Sequence, residues 1–255
     1  MLAAELRGVE NVCRTGLAPG STLISRTCET HRGLAPVDNA TWEKRLAEGA
    51  SRLELGRELP AEWAAQCARY KDELLRWNAR VNLTAITAPD EVAEKHFLDS
   101  VAALPEVAGG VSLLDVGAGA GFPGLPVKLA LPALEVTLVD AVAKKVGFLK
   151  HVSAQLQLRG VRAVHGRAEG RPASEGLPVV DRVVARAFTD LDSWLGLAPA
   201  YLAEGGRIVA MLGRAPSRAE MDAAAARHGL RCVTERRYSL PFSGDPRAVV
   251  SFERC

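Results

Sequence analysis

The sequence predicts an α/β protein: a doubly wound, mostly parallel sheet of seven strands behind an N-terminal helical segment. Three observations carry this. The apolar run that opens at Val111 breaks into glycines at Gly117, Gly119, Gly121 and Gly124, which reads as a buried strand, a tight loop and a helix in series. Strand-like and helix-like segments alternate from residue 111 to 229, as parallel strands joined by crossover helices do. The chain closes with two strand-like runs joined through Pro241-Phe-Ser-Gly-Asp-Pro246. That connection suits an antiparallel hairpin, so the last strand should run against the others.

The chain has 255 residues, enough for one large domain with an appendage. Residues 1–40 show no helical or strand periodicity and read as a poorly ordered extension. Arg7, Arg14, Arg26 and Arg32 leave a basic arm as the alternative. Residues 41–105 read as a helical segment packed on the core, and 106–255 as the α/β domain.

The elements follow in order. Residues 41–59 read as a helix carrying Trp42, Leu46, Leu53 and Leu55. A second helix spans 61–77, with Trp63, Cys67, Tyr70, Leu74 and Trp77 along one face. Asn78 and Asn82 fall at its end and in the next turn, where asparagine is at home. Pro89-Asp90-Glu91 opens a third helix, with proline and acids in its first turn. It carries His96 and Asp99 three residues apart, a spacing that favours a mutually satisfied pair over a pocket wall. Past the glycine loop, Pro123 sits early in a helix. Strands follow at 134–139, ending in Asp140, at 161–164 and at 179–185. A helix at 190–201 leads through Gly205-Gly206 to a fifth strand at 207–212. An alanine-rich helix at 217–228 stops at Gly229, and strands at 230–240 and 248–252 complete the sheet.

The glycine loop calls for a cofactor. Gly119-x-Gly121-x-x-Gly124 fits the dinucleotide spacing, with Asp140 as a ribose acid. Asp115 at the strand tip would repel phosphates, however, and Pro123 removes a donor from the helix start. S-adenosylmethionine, with a cationic end and no phosphate, suits the loop better. Asp115 then lies near its methionine end and Asp140 accepts from both ribose hydroxyls.

A formal net charge of +2 excludes a wholly basic nucleic-acid binder and leaves room for a local patch. No run of about 18 apolar residues marks a membrane span. Cys13, Cys28, Cys67, Cys232 and Cys255 are scattered without a C-x-x-C pair, so neither a metal site nor a disulfide framework is expected, and a cytoplasmic location is.

With these features placed, the residues resemble one family in particular. Trp77-Asn78-x-x-x-Asn82-Leu83-Thr84, His96-Phe97-Leu98-Asp99-Ser100 and Asp115-Val116-Gly117-x-Gly119-x-Gly121-Phe122-Pro123-Gly124 carry the likeness. Asp140-x-x-x-Lys144-Lys145-x-x-Phe148-Leu149, Arg167-Ala168-Glu169 and Arg186-Ala187-Phe188 extend it. The chain resembles, from about residue 60 onward, the bacterial small-subunit ribosomal RNA methyltransferase G family, also called glucose-inhibited division protein B. The resemblance implies a Rossmann-like, S-adenosylmethionine-dependent methyltransferase that modifies N7 of one guanine in 16S ribosomal RNA, free or in the small subunit.

By position, the resemblance implies that Gly117, Phe122, Ala168, Glu169 and Arg186 line the cofactor site, together with Asp115, Gly119, Gly121 and Asp140 from the loop argument. Arg167 and Arg186 are expected beside the target base. Asn78, Asn82, His96, Lys144, Lys145, Arg214 and Arg247 are the candidates for contact with RNA. Phe122 or Phe188 would stack on the base, although both also suit a core. One departure stands out: Leu212 occupies the place of a lysine usual in the family, and Arg214 is the cation nearest in sequence. Two rival classes are a nicotinamide-dependent oxidoreductase, which NADH titration would reveal, and a non-catalytic RNA-binding factor that kept the fold.

Overall fold

A computed structural model of the chain describes residues 38–55, 59–186 and 190–255. The expected extension lies largely outside these residues, as does Phe188.

Helix α1 (Asn39–Arg52) is capped by the Asp38 side chain, which accepts from the Thr41 N–H. It stops short of the expected residue 59. Glu54 turns left-handed at φ 62°, and the Leu55 N–H reaches back to the Ala50 carbonyl at 2.9 Å. This closure tucks Leu53 and Leu55 onto the core instead of extending the helix. Helix α2 (Trp63–Asn78) buries Trp63, Cys67, Tyr70 and Leu74, as their spacing predicts. The third helical stretch is not uniform. Helix α3 (Pro89–Val92) passes into a π-helical turn, Ala93–Leu98, then α4 (Asp99–Val101) and α5 (Leu104–Val107).

The α/β region follows: β1 (Ser112–Val116), α6 (Gly124–Ala130), β2 (Glu135–Asp140), α7 (Ala143–Gln155), β3 (Val161–His165), α8 (Pro172–Glu175) and β4 (Val180–Arg186). Then come α9 (Leu191–Leu197), a 3-10 turn at Ala198–Tyr201, β5 (Leu202–Leu212), α10 (Arg218–Arg227), β6 (Leu230–Ser239) and β7 (Pro246–Arg254). Pro123 precedes α6 rather than lying within it. Strand β5 begins earlier than expected, because Leu202 already pairs with Val180 before the register shifts and resumes at Arg207.

The seven-stranded sheet has the order β3-β2-β1-β4-β5-β7-β6. Strand β7 inserts antiparallel between β5 and β6, and the pairings among β1 to β5 are parallel. Alternation along the strands divides the interior into two cores. Leu113, Val184, Val209 and Val249 face one, which α1, α2, α6 and α7 cover. Leu114, Val183, Ala210 and Val250 face the other, under α9 and α10. The helices before β1 belong to the first core. Trp42 and Trp63 are buried there, their indole N–H groups donating to the carbonyls of Pro89 at 2.8 Å and Pro126 at 3.3 Å. Phe97 meets both Trp42 and Tyr70 edge-on. Strand order reverses between β1 and β4, and a crevice opens at the carboxyl ends of strands at such a point.

Candidate functional site

The glycine loop between β1 and α6 forms the floor of that crevice. The N–H groups of Gly117 and Ala118 both donate to the Val139 carbonyl, at 2.9 and 3.0 Å, tying the loop to β2. Gly121 adopts φ 96°, and a Cβ there would collide with the Tyr70 hydroxyl, which donates to the Ala120 carbonyl. A Cβ on Gly124 would press within 2.8 Å of Asp115 Oδ2, the oxygen that accepts the Gly124 N–H at the same distance. Asp115 is therefore an internal strut. It is fully buried and lines none of the depressions described below, contrary to its expected place at the methionine end of a cofactor. Its Oδ1 has no partner among the described residues. Burial pushes its carboxyl up to about 7, partly offset by the Gly124 hydrogen bond and by Arg186.

Three adjoining depressions follow the crevice. The first, about 340 Å³, lies over the tips of β1, β2 and β3, with Gly117, Asp140, Arg167, Ala168 and Glu169 in its wall. Asp140 is largely buried and already oriented: Oδ2 accepts from Gly119 N at 2.9 Å, and Oδ1 from Val142 N at 2.8 Å. A carboxylate oxygen can accept more than once, so both retain capacity. The loop after β3 is anchored from behind. Glu175 Oε1 accepts the N–H groups of Glu169 and Arg171 at 3.0 Å, and the Tyr201 hydroxyl accepts that of Gly170 at 2.7 Å.

The second depression, about 190 Å³, shares Gly117 with the first and adds Thr84, His96, Phe122 and Arg186. Phe122 is buried, stacked on His96 at 4.5 Å and on Tyr70 at 5.3 Å between ring centroids. No face of it is open to a nucleobase. His96 Nε2 lies 2.9 Å from Thr84 Oγ1, and Nδ1 lies 3.3 Å from Arg186 Nη2. Burial and the Arg186 charge bring the imidazole down to about 3, so it is neutral. Arg186 also donates to the Lys95 carbonyl at 2.8 Å and to Asp99 Oδ2 at 3.3 Å. The π-helical turn presents His96 to this depression, while Glu94 on the same turn accepts from the Phe242 and Ser243 N–H groups of the β6–β7 connection at 2.6 and 2.8 Å.

The third depression, about 360 Å³, shares His96 and Arg186 with the second and continues to Asp99, Leu212, Gly213 and Arg247. Asp99 Oδ1 accepts from the Tyr238 hydroxyl at 2.8 Å and stands 3.6 Å from Arg247 Nε. Leu212 pairs with Ala248 across β5 and β7, which brings the neighbouring Arg247 beside it.

The structure thus sorts the expected site residues. Gly117, Asp140, Ala168 and Glu169 meet in the first depression. His96, Phe122, Arg186 and Gly119 meet in the second. Arg167 and Arg186, expected together beside a base, are separated: Arg167 stands at the tip of β3 and Arg186 at that of β4. Asn78 points inward. Its Oδ1 accepts from Leu83 N and Thr84 N at 2.7 and 3.0 Å, and its Nδ2 donates to the Thr84 carbonyl at 3.0 Å. Asn82 is exposed, as are Lys144 and Arg214, whereas Lys145 and Arg247 are half-buried. The sequence assigned Tyr70 only to a core face and gave Tyr238 no role. The site uses both, and periodicity carries no sign of it.

A family model described as rRNA small subunit methyltransferase G (GidB) matches residues 64–246. Among curated relatives, the ribosomal RNA small subunit methyltransferase G of Myxococcus xanthus is 58% identical over 218 residues, covering 86% of this chain and 100% of the relative. Its counterpart from Anaeromyxobacter dehalogenans (strain 2CP-C) is 51% identical, covering 85% and 99%. That from Geobacter sulfurreducens is 42% identical, covering 82% and 96%. With the family match spanning most of the chain and relatives of this identity aligned over nearly their whole lengths, the chain belongs to the rRNA small subunit methyltransferase G family.

Proposed function

We propose that this protein transfers a methyl group from S-adenosylmethionine to N7 of a guanine in 16S ribosomal RNA, acting on the RNA or on the small ribosomal subunit in the cytoplasm. The observation that carries the reading is the chain of three depressions, joined through Gly117 and then through His96 and Arg186. It offers one place for a nucleoside, one for its amino-acid arm and one for a base.

The residues fit this cofactor rather than a dinucleotide. The N–H groups of Gly117, Ala118, Gly119, Gly121, Phe122 and Gly124 are all committed to protein acceptors. A pyrophosphate needs such donors free, whereas a phosphate-free nucleoside does not. Asp140 would accept from the ribose hydroxyls, Ala168 and Glu169 would border the adenine, and Arg186 would face the carboxylate of the methionine arm. When bound, the cofactor supplies an electrophilic methyl group.

Guanine N7 presents a lone pair, so no general base is required. His96 is unfit for that role, since burial and the Arg186 charge bring its pKa down to about 3 and both ring nitrogens are engaged. The protein contributes placement, holding the base in line with the methyl group. Methylation leaves positive charge on the purine, and Asp99, on the wall of the third depression, offsets the charge of Arg186 and Arg247 there so that the site is not more strongly cationic. Arg247 supplies a cation beside Leu212, where the family has lysine, and Arg214 lies further out. Asn82, Lys144 and Lys145 are free to meet RNA, and Arg167 guards the nucleoside end.

The test is transfer of labelled methyl to unmodified 16S RNA and to unmodified small subunits, followed by N7-methylguanosine-specific strand cleavage. Cleavage at one guanine supports the proposal. Failure to transfer to either substrate, or label on another atom, ends it.

A further inference from the structure

Thr84, between α2 and α3, lines the second depression with Gly117, Phe122 and Arg186. Its hydrogen-bonding capacity can be counted atom by atom. Its N–H donates to Asn78 Oδ1 and its carbonyl accepts from Asn78 Nδ2, both at 3.0 Å. Its hydroxyl oxygen accepts from Ile86 N at 3.1 Å and lies 2.9 Å from His96 Nε2.

The far side of the imidazole fixes the direction of that second bond. His96 Nδ1 faces Arg186 Nη2 at 3.3 Å, and a guanidinium offers donors only. The Lys95 carbonyl is also within reach of the ring, but it already accepts from Arg186 Nη1 at 2.8 Å, and a proton on Nδ1 would set two donors against each other; Nδ1 therefore keeps its lone pair. The proton of the neutral ring sits on Nε2 and is donated to Thr84. Burial and the Arg186 charge exclude a second ring proton at neutral pH. Both lone pairs of the Thr84 hydroxyl are then committed, and its own proton is the one valence left. That proton has no acceptor among the described residues.

We infer that Thr84 donates this proton to the α-carboxylate of the bound cofactor, with Arg186 supplying charge on the same wall. The inference rests on the proposal that this depression holds the methionine arm. A hydroxyl obliged to donate suits a group that only accepts. A carboxylate is such a group, while the ammonium at the same carbon offers only donors. Thr84 thereby fixes which way round the amino-acid end lies. Arg186 sets the direction through His96, and the Asn78 clamp holds the loop in place.

Titration calorimetry on the full chain tests this, comparing wild type, Thr84→Ser and Thr84→Val with S-adenosylmethionine and with its decarboxylated form. Thr84→Val should weaken S-adenosylmethionine about ten- to a hundredfold, the scale of one hydrogen bond to a charged group. It should leave the decarboxylated ligand bound as in wild type, and Thr84→Ser should bind both normally. Thr84→Ala gives the same comparison if the valine variant does not fold. Unchanged affinity for S-adenosylmethionine in these variants would overturn the assignment. An equal loss with both ligands would also overturn it, since that marks a displaced loop. So would intact cofactor affinity with impaired methylation, which would place the donor on the base. A wild-type protein that binds neither ligand would refute the cofactor site itself, an outcome distinct from the others.

Discussion

Asp115, beneath the glycine loop, and His96, in the second depression, are shifted in opposite directions, and each leaves a signature in pH. Burial raises the Asp115 carboxyl from 3.8 to about 7. Between those values the unfolded chain has released the proton that the native protein keeps, so this group's contribution to stability falls as pH rises. His96 is lowered from 6.5 to about 3. Below 6.5 the unfolded chain takes up a proton that the native protein refuses, so its contribution falls as pH drops. Over the shared window from about pH 4 to 6.5 the two oppose each other. Asp115→Asn removes one of them. The variant should gain stability relative to wild type as pH rises from 4 to 7, by about 4 kcal/mol at most. Urea melts at pH 4.5, 6 and 7.5 measure the difference, and a gap that does not change with pH would refute the shift. Asp140 makes a different prediction. Its carboxylate orients the Gly119 and Val142 N–H groups and, in the proposed complex, the ribose. Asp140→Ala should lower S-adenosylmethionine affinity by about a hundredfold or more, given two bonds to a charged acceptor. RNA affinity should change little. Equal losses of both would show that the acid only supports the loop.

At the scale of elements, the loop between α2 and α3 assigns its two asparagines different work. Asn78 makes three hydrogen bonds to the backbone of Leu83 and Thr84, while Asn82 is exposed. Asn78→Ala should cost about 1–3 kcal/mol of stability, the loss expected from stranding partly buried backbone groups. Asn82→Ala should stay within about 0.5 kcal/mol of wild type and yet slow methylation of RNA. Thermal melts with single-turnover assays separate the two, and an equally destabilised Asn82→Ala would remove its proposed contact with RNA. Sequence spacing could not make this distinction, because one position ends a helix, the other lies in the turn after it, and asparagine suits both. The sheet was legible for the opposite reason. Val183-Val184 and Val249-Val250 each send one residue to either core, so buried strands read as continuous apolar runs. The π-helical turn was not legible, since Ala93–Leu98 has the composition of an ordinary helix and the change is one of hydrogen bonding. The separation of Arg167 from Arg186 was hidden as well. Each follows a strand and precedes a small residue, and only the strand order sends them to different depressions.

Across the whole molecule, a formal net charge of +2 means that any grip on RNA comes from local cations. Arg207 and Arg231 near the distal end of the β5-β7-β6 region pair with Glu253, Arg218 pairs with Asp222, and Arg227 with Asp192. Arg80, Lys144, Arg167 and Arg214 are exposed and make no ion pair with any described residue, as is also true of Lys44, Arg69, Lys150, Arg159, Arg162 and Arg254. Arg80, Arg167 and Arg214 lie in loops and Lys144 in the first turn of α7: Arg80 on the loop carrying Asn82 and Thr84, and Lys144 after β2, Arg167 after β3 and Arg214 after β5, at the strand ends where the crevice opens. A phosphate backbone crossing the three depressions would pass these groups, and an unpaired cation contributes to such binding without first breaking a salt bridge. Each phosphate neutralised on single-stranded RNA adds about 0.7 to the slope of log affinity against log salt. Arg214→Ala and Lys144→Ala should each weaken RNA binding at low salt and flatten that slope by about 0.7, and the double variant by about 1.4. Cofactor affinity should not change in any of them. Arg231→Ala is the control, since its guanidinium is already bound to Glu253 at 3.0 Å, so its slope should match wild type. Filter binding from 50 to 300 mM salt, on the order over which such contacts are resolved, decides the matter. If Arg231→Ala flattens the slope as much as Arg214→Ala does, RNA is held by overall charge and the crevice does not guide it.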